Sequence, residues 1–329
     1  MQPPEIQACL RHPDEAPRLM ALAELTPQEV DPGPYAADVS ASVEHPSESV
    51  RKAAVYVLGR IGAPAVPALT RAVQPDQPPI VRTFAAQALG QVGPPAAPAA
   101  MELCRAMTDP DETLRFHGSF ALGKIGAPSV PWLQRMLQFS DPGVVCAAVN
   151  GLGWVGPPAG PAVPQIQTLG ASPLVSLRQA CAAALVKITQ NPAAGLPILQ
   201  RDLQDPDPEV RKSALDRIGE LLTGGQPAVP DVFRLLADPV AAVRGAAAIT
   251  LAKVQADPNV AVPHITRLLY DPETIARANA IMALTGYGPA ARGALPALHP
   301  IQQDPDPRLA AMAQTAVARI AGAPPGAAV

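Results

Sequence analysis

Residues 226–255 read QPAVPDVFRLLADPVAAVRGAAAITLAKVQ, and this stretch decides the fold. In its second half, small or apolar residues stand four, four and three positions apart, at Val243, Ala247, Leu251 and Val254. These steps keep the side chains on one face of an α-helix. A shorter apolar segment begins near Pro230 and is separated from the longer one by an Asp-Pro pair. The stretch therefore predicts a short helix, an Asp-Pro loop and a longer helix.

The same pattern recurs along the whole chain. Alignment on the Arg of a Val-Arg dipeptide finds ten equivalent positions: Arg18, Arg51, Arg82, Arg115, Val145, Arg178, Arg211, Arg244, Arg277 and Ala310. Successive intervals are 33, 31, 33 and 30 residues, and then 33 five times. A small residue follows each position after three residues and an apolar one after seven, as at Ala54 and Leu58. A period of this length indicates an array of repeats, each of them one helix pair.

The prolines and glycines keep the same period. One proline column lies near the predicted start of each short helix: Pro67, Pro98, Pro131, Pro164, Pro197, Pro230, Pro263 and Pro296. A second proline column follows an Asp six residues before the Arg, as in Asp238-Pro239. There we expect the Asp to cap the long helix and the Pro to occupy its first turn. Left-handed ends of long helices are expected at Gly62, Gly93, Gly126 and Gly156.

Composition bounds the class of protein. Of 329 residues, 48% are hydrophobic and 16% are charged, so the chain has ample apolar surface for a packed core despite its 42 prolines. A net charge of -3 argues against general affinity for nucleic acid or anionic membranes. The sequence shows no signal peptide and no uninterrupted apolar stretch of membrane-spanning length. With four scattered cysteines, these features predict a soluble cytoplasmic protein with free thiols.

Two intervals carry a resemblance to a known family. The Pro-to-Asp interval of eight and the Asp-to-Arg interval of six, as in Pro230, Asp238 and Arg244, resemble those of HEAT repeats. The short period resembles the HEAT-like subtype named after phycobilisome lyases. The resemblance implies an all-α fold, an α-solenoid formed as a right-handed superhelix of about ten two-helix repeats. It also implies that the Asp and Arg columns pair within and between repeats as a structural ladder.

The expected domain organisation is a single array over residues 1–329. An N-terminal capping repeat covers about 4–26, repeats cover about 34–322, and a short C-terminal tail covers 323–329. No polar closing helix follows Ile320, although terminal repeats normally need a polar outer face. End-to-end association and coverage by the tail are both compatible with this, and the oligomeric state stays open.

No catalytic, cofactor or metal site is predicted. Some HEAT-like proteins are di-iron hydroxylases that carry His-Glu dipeptides, and none of the five histidines here precedes Glu. No Gly-rich phosphate loop, nucleophile elbow or paired Cys and His stands out. The Asp and Arg columns occur in many similar copies, which suits structure, whereas a catalytic site needs one copy. We therefore expect a protein that is not an enzyme and holds no cofactor.

A candidate binding surface lies on the long helices, at positions one, five and nine after the Arg. In arrays of this type the long helices line the concave face, so these positions would meet a partner. The candidate partner-binding residues are Tyr56, Arg60, Phe116, Phe120, Lys124, Asn150 and Trp154. Aromatic side chains beside Arg or Lys are common anchors of protein interfaces. The alternative is that the aromatics pack against neighbouring repeats and the basic residues offset the helix dipole.

These observations favour a non-enzymatic scaffold that binds a segment of another protein on its concave face. One alternative is a bilin lyase-like subunit, which only the repeat subtype suggests. Another is a HEAT-like nucleic-acid-binding protein, since some base glycosylases use such arrays, but the acidic balance argues against it. We expect a protein partner of unknown identity and neither a membrane nor a nucleic acid.

Overall fold

A computed structural model describes residues 1–322, which form α-helices joined by short 3₁₀ turns. No β-strand occurs among these residues. The α-helices are α1 Pro3–Leu10, α2 Glu15–Glu24, α3 Ala36–Ala41, α4 Glu48–Ile61, α5 Val66–Ala72, α6 Pro79–Val92, α7 Ala100–Met107, α8 Glu112–Ile125, α9 Val130–Met136, α10 Pro142–Val155, α11 Val163–Leu169, α12 Val175–Thr189, α13 Leu196–Asp202, α14 Pro208–Glu220, α15 Val229–Arg234, α16 Ala241–Lys253, α17 Pro258–Arg267, α18 Thr274–Tyr287, α19 Leu295–Leu298 and α20 Pro307–Ala321. The all-α prediction is confirmed, while the predicted tail at 323–329 lies outside the described residues.

The chain divides into two compact units, Met1–Gln190 and the part from Asn191 onward. In the first unit the long helices α4, α6, α8, α10 and α12 each pack against the next. In the second unit α14, α16, α18 and α20 do the same. Each short helix from α5 onward contacts the long helix that follows it. Each unit is therefore a stack of helix pairs, and the predicted α-solenoid arrangement is confirmed.

The core lies on the helix face that the repeat pattern predicts. Val243, Ala247 and Leu251 are all fully buried. Burying one Leu or Val side chain contributes about 1.5–3 kcal/mol, and the stack repeats this gain in every layer. Small residues let successive long helices approach closely: a Cβ on Gly90 would lie 3.1 Å from the Cα of Ala121 on the next long helix.

The glycines that end four long helices differ from the prediction. Gly62, Gly93, Gly126 and Gly156 have φ between 72° and 82°, as expected, but ψ between -136° and -142°. This is not the left-handed helical conformation, so the predicted type of cap is wrong. The backbone instead leaves the helix in an extended form open mainly to glycine and passes straight into a 3₁₀ turn. In that turn the Ala65 amide donates to the carbonyl of Gly62 at 2.9 Å.

The Asp-Pro pairs also differ from the prediction. Asp238 accepts a hydrogen bond from the Val240 amide at 2.9 Å, and α16 begins only after that residue. The Asp therefore closes a turn before the helix, and Pro239 lies in that turn rather than at the first helical position. The N-cap stands two residues further on, as at Asp207, whose carboxylate accepts from the Glu209 amide at 2.9 Å. The Asp of the Asp-Pro pair does not occupy the N-cap position, and its carboxylate faces an arginine instead.

In part of the array that arginine joins one repeat to the next. Arg244 donates from Nε and Nη2 to the two carboxylate oxygens of Asp271, at 2.7 Å each. Its Nη1 donates to the carbonyls of Asp238 and Pro239 at 2.8 and 3.1 Å. Arg211 bonds Asp238 in the same way. The hydrogen bonds from Arg244 hold the pKa of Asp271 below its usual value. The ladder implied by the family resemblance is confirmed.

We predict that Arg244→Ala lowers the free energy of unfolding by about 3 kcal/mol, because it leaves a buried carboxylate without its partner. Arg277→Ala is the matched control, since Arg277 donates to the carbonyls of Asp271 and Pro272; its loss should be smaller, about 1–2 kcal/mol. The lowered pKa of Asp271 means that the pair stabilises the fold above the usual carboxyl range. The loss caused by Arg244→Ala should therefore stay near its full size from about pH 7 down to the usual carboxyl pKa of about 4, and shrink as the pH falls further. Urea unfolding measures both losses, and equal losses would contradict the ladder.

Candidate protein-binding site

Three aromatic side chains meet on the long helices α8 and α10. Phe116 and Phe120 lie one turn apart on α8, with ring centroids 6.1 Å apart and nearly parallel planes. Trp154 on α10 meets both rings edge-on, at 5.5 Å from Phe116 and 5.3 Å from Phe120. Offset-stacked and edge-to-face pairs of this kind are favourable beyond the area that they bury. We refer to Phe116, Phe120 and Trp154 as the aromatic cluster.

Gly123 makes room for the tryptophan. A Cβ on Gly123 would lie 2.6 Å from the Cβ of Trp154, closer than real contacts allow. Only glycine at position 123 therefore allows the Trp154 side chain on α10 to pack against α8. The close approach holds the three rings in one fixed arrangement.

A lysine and a histidine border the aromatic cluster. Lys124 places its Nζ 5.3 Å from the centre of the Phe120 ring, within cation–π range. His117 packs edge-on against Phe116 at 5.3 Å, and burial lowers its pKa. Its Nδ1 is buried and has no hydrogen-bond partner within residues 1–322. The lowered pKa favours the neutral form of the His117 imidazole at neutral pH.

The three rings differ in exposure. Phe116 is 51% exposed, whereas Phe120 and Trp154 are half-buried against each other. Packing between repeats therefore accounts for much of Phe120 and Trp154, as the alternative interpretation expects. It does not account for Phe116, whose ring stands on the surface with its neighbours fixed behind it.

A cleft of about 270 Å³ lies beside Phe116, between α8 and α10. It is lined by Glu112, Arg115, Phe116, Ser119, Pro142, Gly143, Cys146, Ala147, Asn150 and Ser176. The Asn150 amide points towards the Cys146 sulfur, with 4.0 Å between Nδ2 and Sγ. Of the predicted residues, Phe116 and Asn150 face this cleft. Sequence reasoning missed the roles of Arg115 and Cys146, because one belongs to the structural column and the other is a lone thiol.

Two predicted residues lie elsewhere. Tyr56 is 53% exposed on α4, and no ring contact joins it to the aromatic cluster in the described part of the chain. Arg60 donates to the carbonyls of Leu25, Thr26 and Val30, at 3.2 Å for Thr26 and 3.0 Å for Val30. Its guanidinium therefore holds the long connection between α2 and α3. The structure brings together Phe116, Phe120, Lys124, Asn150 and Trp154, and leaves Tyr56 and Arg60 apart from them.

A second cleft of about 430 Å³ lies in the other unit, between α18 and α20. Its lining includes Met282, Met312 and Arg319, and Met282 is 53% exposed. The sequence placed Met282 and Arg319 in the surface columns, but without aromatic neighbours they gave no signal. This cleft is mainly apolar and has one cationic side chain.

The repeat pattern, the ladder and the stacked helix pairs agree with a comparison against protein-family models. The model described as HEAT repeats matches residues 3–90, 38–106, 100–186, 163–252 and 196–285. The chain is a HEAT-repeat protein. The match extends over most of the sequence and does not assign the repeats to the phycobilisome-lyase subtype.

Solved structures show the same fold in other HEAT-like arrays. The karyopherin Kap121p, in its complex with the SUMO protease Ulp1p, is similar with a TM-score of 0.68 and 14% identity, over 97% of this chain and 41% of that one. Kap95p, in a structure with RanGDP, gives 0.65 and 14%, over 96% and 51%. The Escherichia coli protein YibA gives 0.54 and 22%, over 78% and 92%. This HEAT-repeat protein thus spans about half or less of the two karyopherins, and at these identities the likeness concerns the fold alone.

A comparison with curated protein sequences found no match. Within residues 1–322, no three His, Cys, Asp or Glu side chains come together in a way that could hold a metal ion. Nor does any helix there combine the length and apolar character needed to cross a membrane.

The cysteines provide a test of the packing around the cleft. Burial raises the pKa of Cys104 and of Cys181 to about 12, and it also raises the pKa of Cys146. Because modification needs both reagent access and the thiolate form, we predict that iodoacetamide near neutral pH modifies the partly exposed Cys9 and Cys146 before the two buried thiols. Cys104 and Cys181 should stay unmodified until the protein unfolds. Peptide mass spectrometry over a time course measures the order, and early modification of Cys181 would contradict it.

Proposed function

We propose that this HEAT-repeat protein is a non-enzymatic scaffold that binds a segment of another protein across α8 and α10. The observation that carries the proposal is the half-exposed ring of Phe116, held by Phe120 and Trp154 at the edge of a cleft. Lys124 adds a cation at the far end of the cluster. Apolar, aromatic and basic groups thus lie along one helix face.

The fixed geometry supports binding for an energetic reason. Association costs free energy when interface side chains must be ordered, and rings that already pack against each other avoid much of that cost. A central aromatic side chain with a rigid surround is the usual hot spot of a protein interface. The polar groups that line the cleft, such as Asn150 and Ser176, supply hydrogen-bonding partners.

Three further parts of the proposal rest on the sequence. We propose one array over residues 1–329, repeats of the short phycobilisome-lyase type on the basis of their period, and a cytoplasmic location on the basis of composition. A bilin or nucleic-acid role has no supporting feature at the cleft, whose exposed ring and adjacent amide suit a peptide better.

The test is affinity capture from an extract of the source cells with quantitative mass spectrometry. We expect Phe116→Ala to reduce recovery of the specific partner about tenfold or more, because it removes the exposed ring and leaves the buried ones. Tyr270→Ala is the matched control, since Tyr270 is an exposed aromatic, 73% accessible, in the other unit. Trp154→Ala is avoided as the main test because it also removes packing against Gly123.

Partners that both variants retain equally would contradict the proposed face. Loss with Tyr270→Ala and retention with Phe116→Ala would move the interface to the second unit. Circular dichroism of each variant shows whether the loss has a folding cause.

A further inference from the structure

The Asp ladder is interrupted next to the aromatic cluster. Phe139 occupies the place of the ladder Asp before α10: its amide donates to the Met136 carbonyl at 3.2 Å, as the Asp109 amide donates to Ala106 at 3.3 Å. The N-cap follows two residues later in both cases, at Asp141 and Asp111. The Phe139 side chain is 46% exposed, so it does not replace the missing carboxylate with core packing.

Arg115 is the ladder arginine that faces this gap. Within residues 1–322 its guanidinium donates no hydrogen bond, whereas Arg82 donates to Asp109 at 2.7 Å. Its nearest carboxylates are Glu112 at 3.9 Å and Asp141 at 4.0 Å, both beyond hydrogen-bonding distance. The Arg115 side chain is only 15% exposed, so water solvates it poorly.

The same guanidinium forms part of the cleft. Gly143 has no side chain to cover it: a Cβ there would lie 3.4 Å from the Arg115 Cζ and Nη1. Ser119, Asn150 and Ser176 line the cleft with it, and Phe116 forms the edge. A cation with unused donors therefore faces a mainly apolar cleft that contains a few polar side chains and has Phe116 at its edge.

We infer that the partner segment supplies the missing rung: an Asp or Glu side chain enters the cleft and pairs with Arg115. This inference rests on the proposed function. The same bidentate pairing occurs elsewhere in the chain. Arg211 and Arg244 each donate from two nitrogens to the carboxylate of an aspartate, at 2.7–2.9 Å. An apolar residue beside the acid would contact Phe116, so the partner is an acidic segment with apolar neighbours.

Two acidic residues of the chain, Asp141 and Glu112, could compete with a ligand carboxylate for Arg115. Asp141 uses its Oδ1 to cap the helix, accepting from the Gly143 amide at 2.7 Å, and its Oδ2 stays 4.0 Å from the Arg115 Nη1. Glu112 is 93% exposed on the side chain and turns readily towards solvent. A bidentate carboxylate at hydrogen-bonding distance is stronger than either contact. Glu112→Gln should therefore raise affinity for the ligand, since it removes a competitor without touching the core.

The experiment selects random peptides displayed on phage against the full-length protein and measures amidated synthetic copies by fluorescence anisotropy. Display and amidation leave no free carboxyl terminus, so any acid that binds is a side chain. We expect the selected peptides to carry Asp or Glu beside apolar residues, and to lose about tenfold or more when that acid becomes Asn or Gln. Arg115→Gln should cause a similar loss, and Phe116→Ala should weaken the same peptides.

Phe139→Asp is the sharpest variant. It restores the carboxylate that other repeats have, so it should occupy Arg115 internally and lower peptide affinity by about tenfold or more while the melting temperature holds or rises. Phe139→Asn is the matched control: it removes the same ring without adding a charge and should leave the affinity nearly unchanged. A merely destabilising effect would lower both affinity and melting temperature.

Each outcome decides the question. Peptides without an acid, or with full affinity for Arg115→Gln, overturn the inference, and the proposed function stands if Phe116→Ala still weakens them. If neither Arg115→Gln nor Phe116→Ala changes the affinity for the selected peptides, both the inference and the proposed function are contradicted. Failure to select any peptide that Phe116→Ala weakens also contradicts both, whereas loss with Arg115→Gln and Phe139→Asp together supports the carboxylate site.

Discussion

The guanidinium of Arg244 holds two loops at once: it takes both carboxylate oxygens of Asp271 in the next repeat and two carbonyls in its own. Such contacts add to the stacking where they form, and burial acts in every pair, because the apolar face of one helix pair is covered only by its neighbours. Burial of Val243 and Leu251 supplies the main driving force, and the arginine fixes how the loops align. The N-cap position of a long helix stands two residues after this Asp. A carboxylate caps the helix there at Asp207 and Asp306, whereas Val240 and Glu273 provide no side-chain cap.

The length of each repeat interval depends on the length of the 3₁₀ turn that it contains. The intervals of 31 and 30 residues contain the short 3₁₀ turns Ala63–Ala65 and Ala127–Ser129, whereas two intervals of 33 contain the longer turns Pro94–Ala99 and Pro157–Ala162. Three residues make one turn of a 3₁₀ helix, so the connection lengthens without rotating the helices that it joins. For this reason the buried columns, such as Leu58, Leu89 and Leu122, keep their faces despite the irregular spacing.

The fold was predictable because helical spacing, proline columns and the Asp-Arg interval recur in most units and reinforce one another. Local turn geometry was less predictable: an Asp-Pro pair suits both a helix cap and a preceding turn, and only the arginine across the layer separates them. The site was predictable as a set of surface aromatics on α8 and α10. Its details were not, because Arg60 looks like an exposed cation until its bonds to Thr26 and Val30 are seen.

The interruption of the ladder and the aromatic cluster lie at the same pair of helices, and this coincidence has a physical meaning. Within residues 1–322, Arg277 also lacks a carboxylate partner but still donates to two loop carbonyls, whereas Arg115 donates no hydrogen bond. At Phe139 the loss leaves a poorly solvated cation at Arg115, and Gly143 leaves that cation uncovered. At Gly123 the chain gives up a side chain so that Trp154 can support Phe116. Phe116 and Arg115 therefore line the same cleft, one supported by Trp154 and the other left without a hydrogen-bonded carboxylate, and the proposed binding site rests on this arrangement.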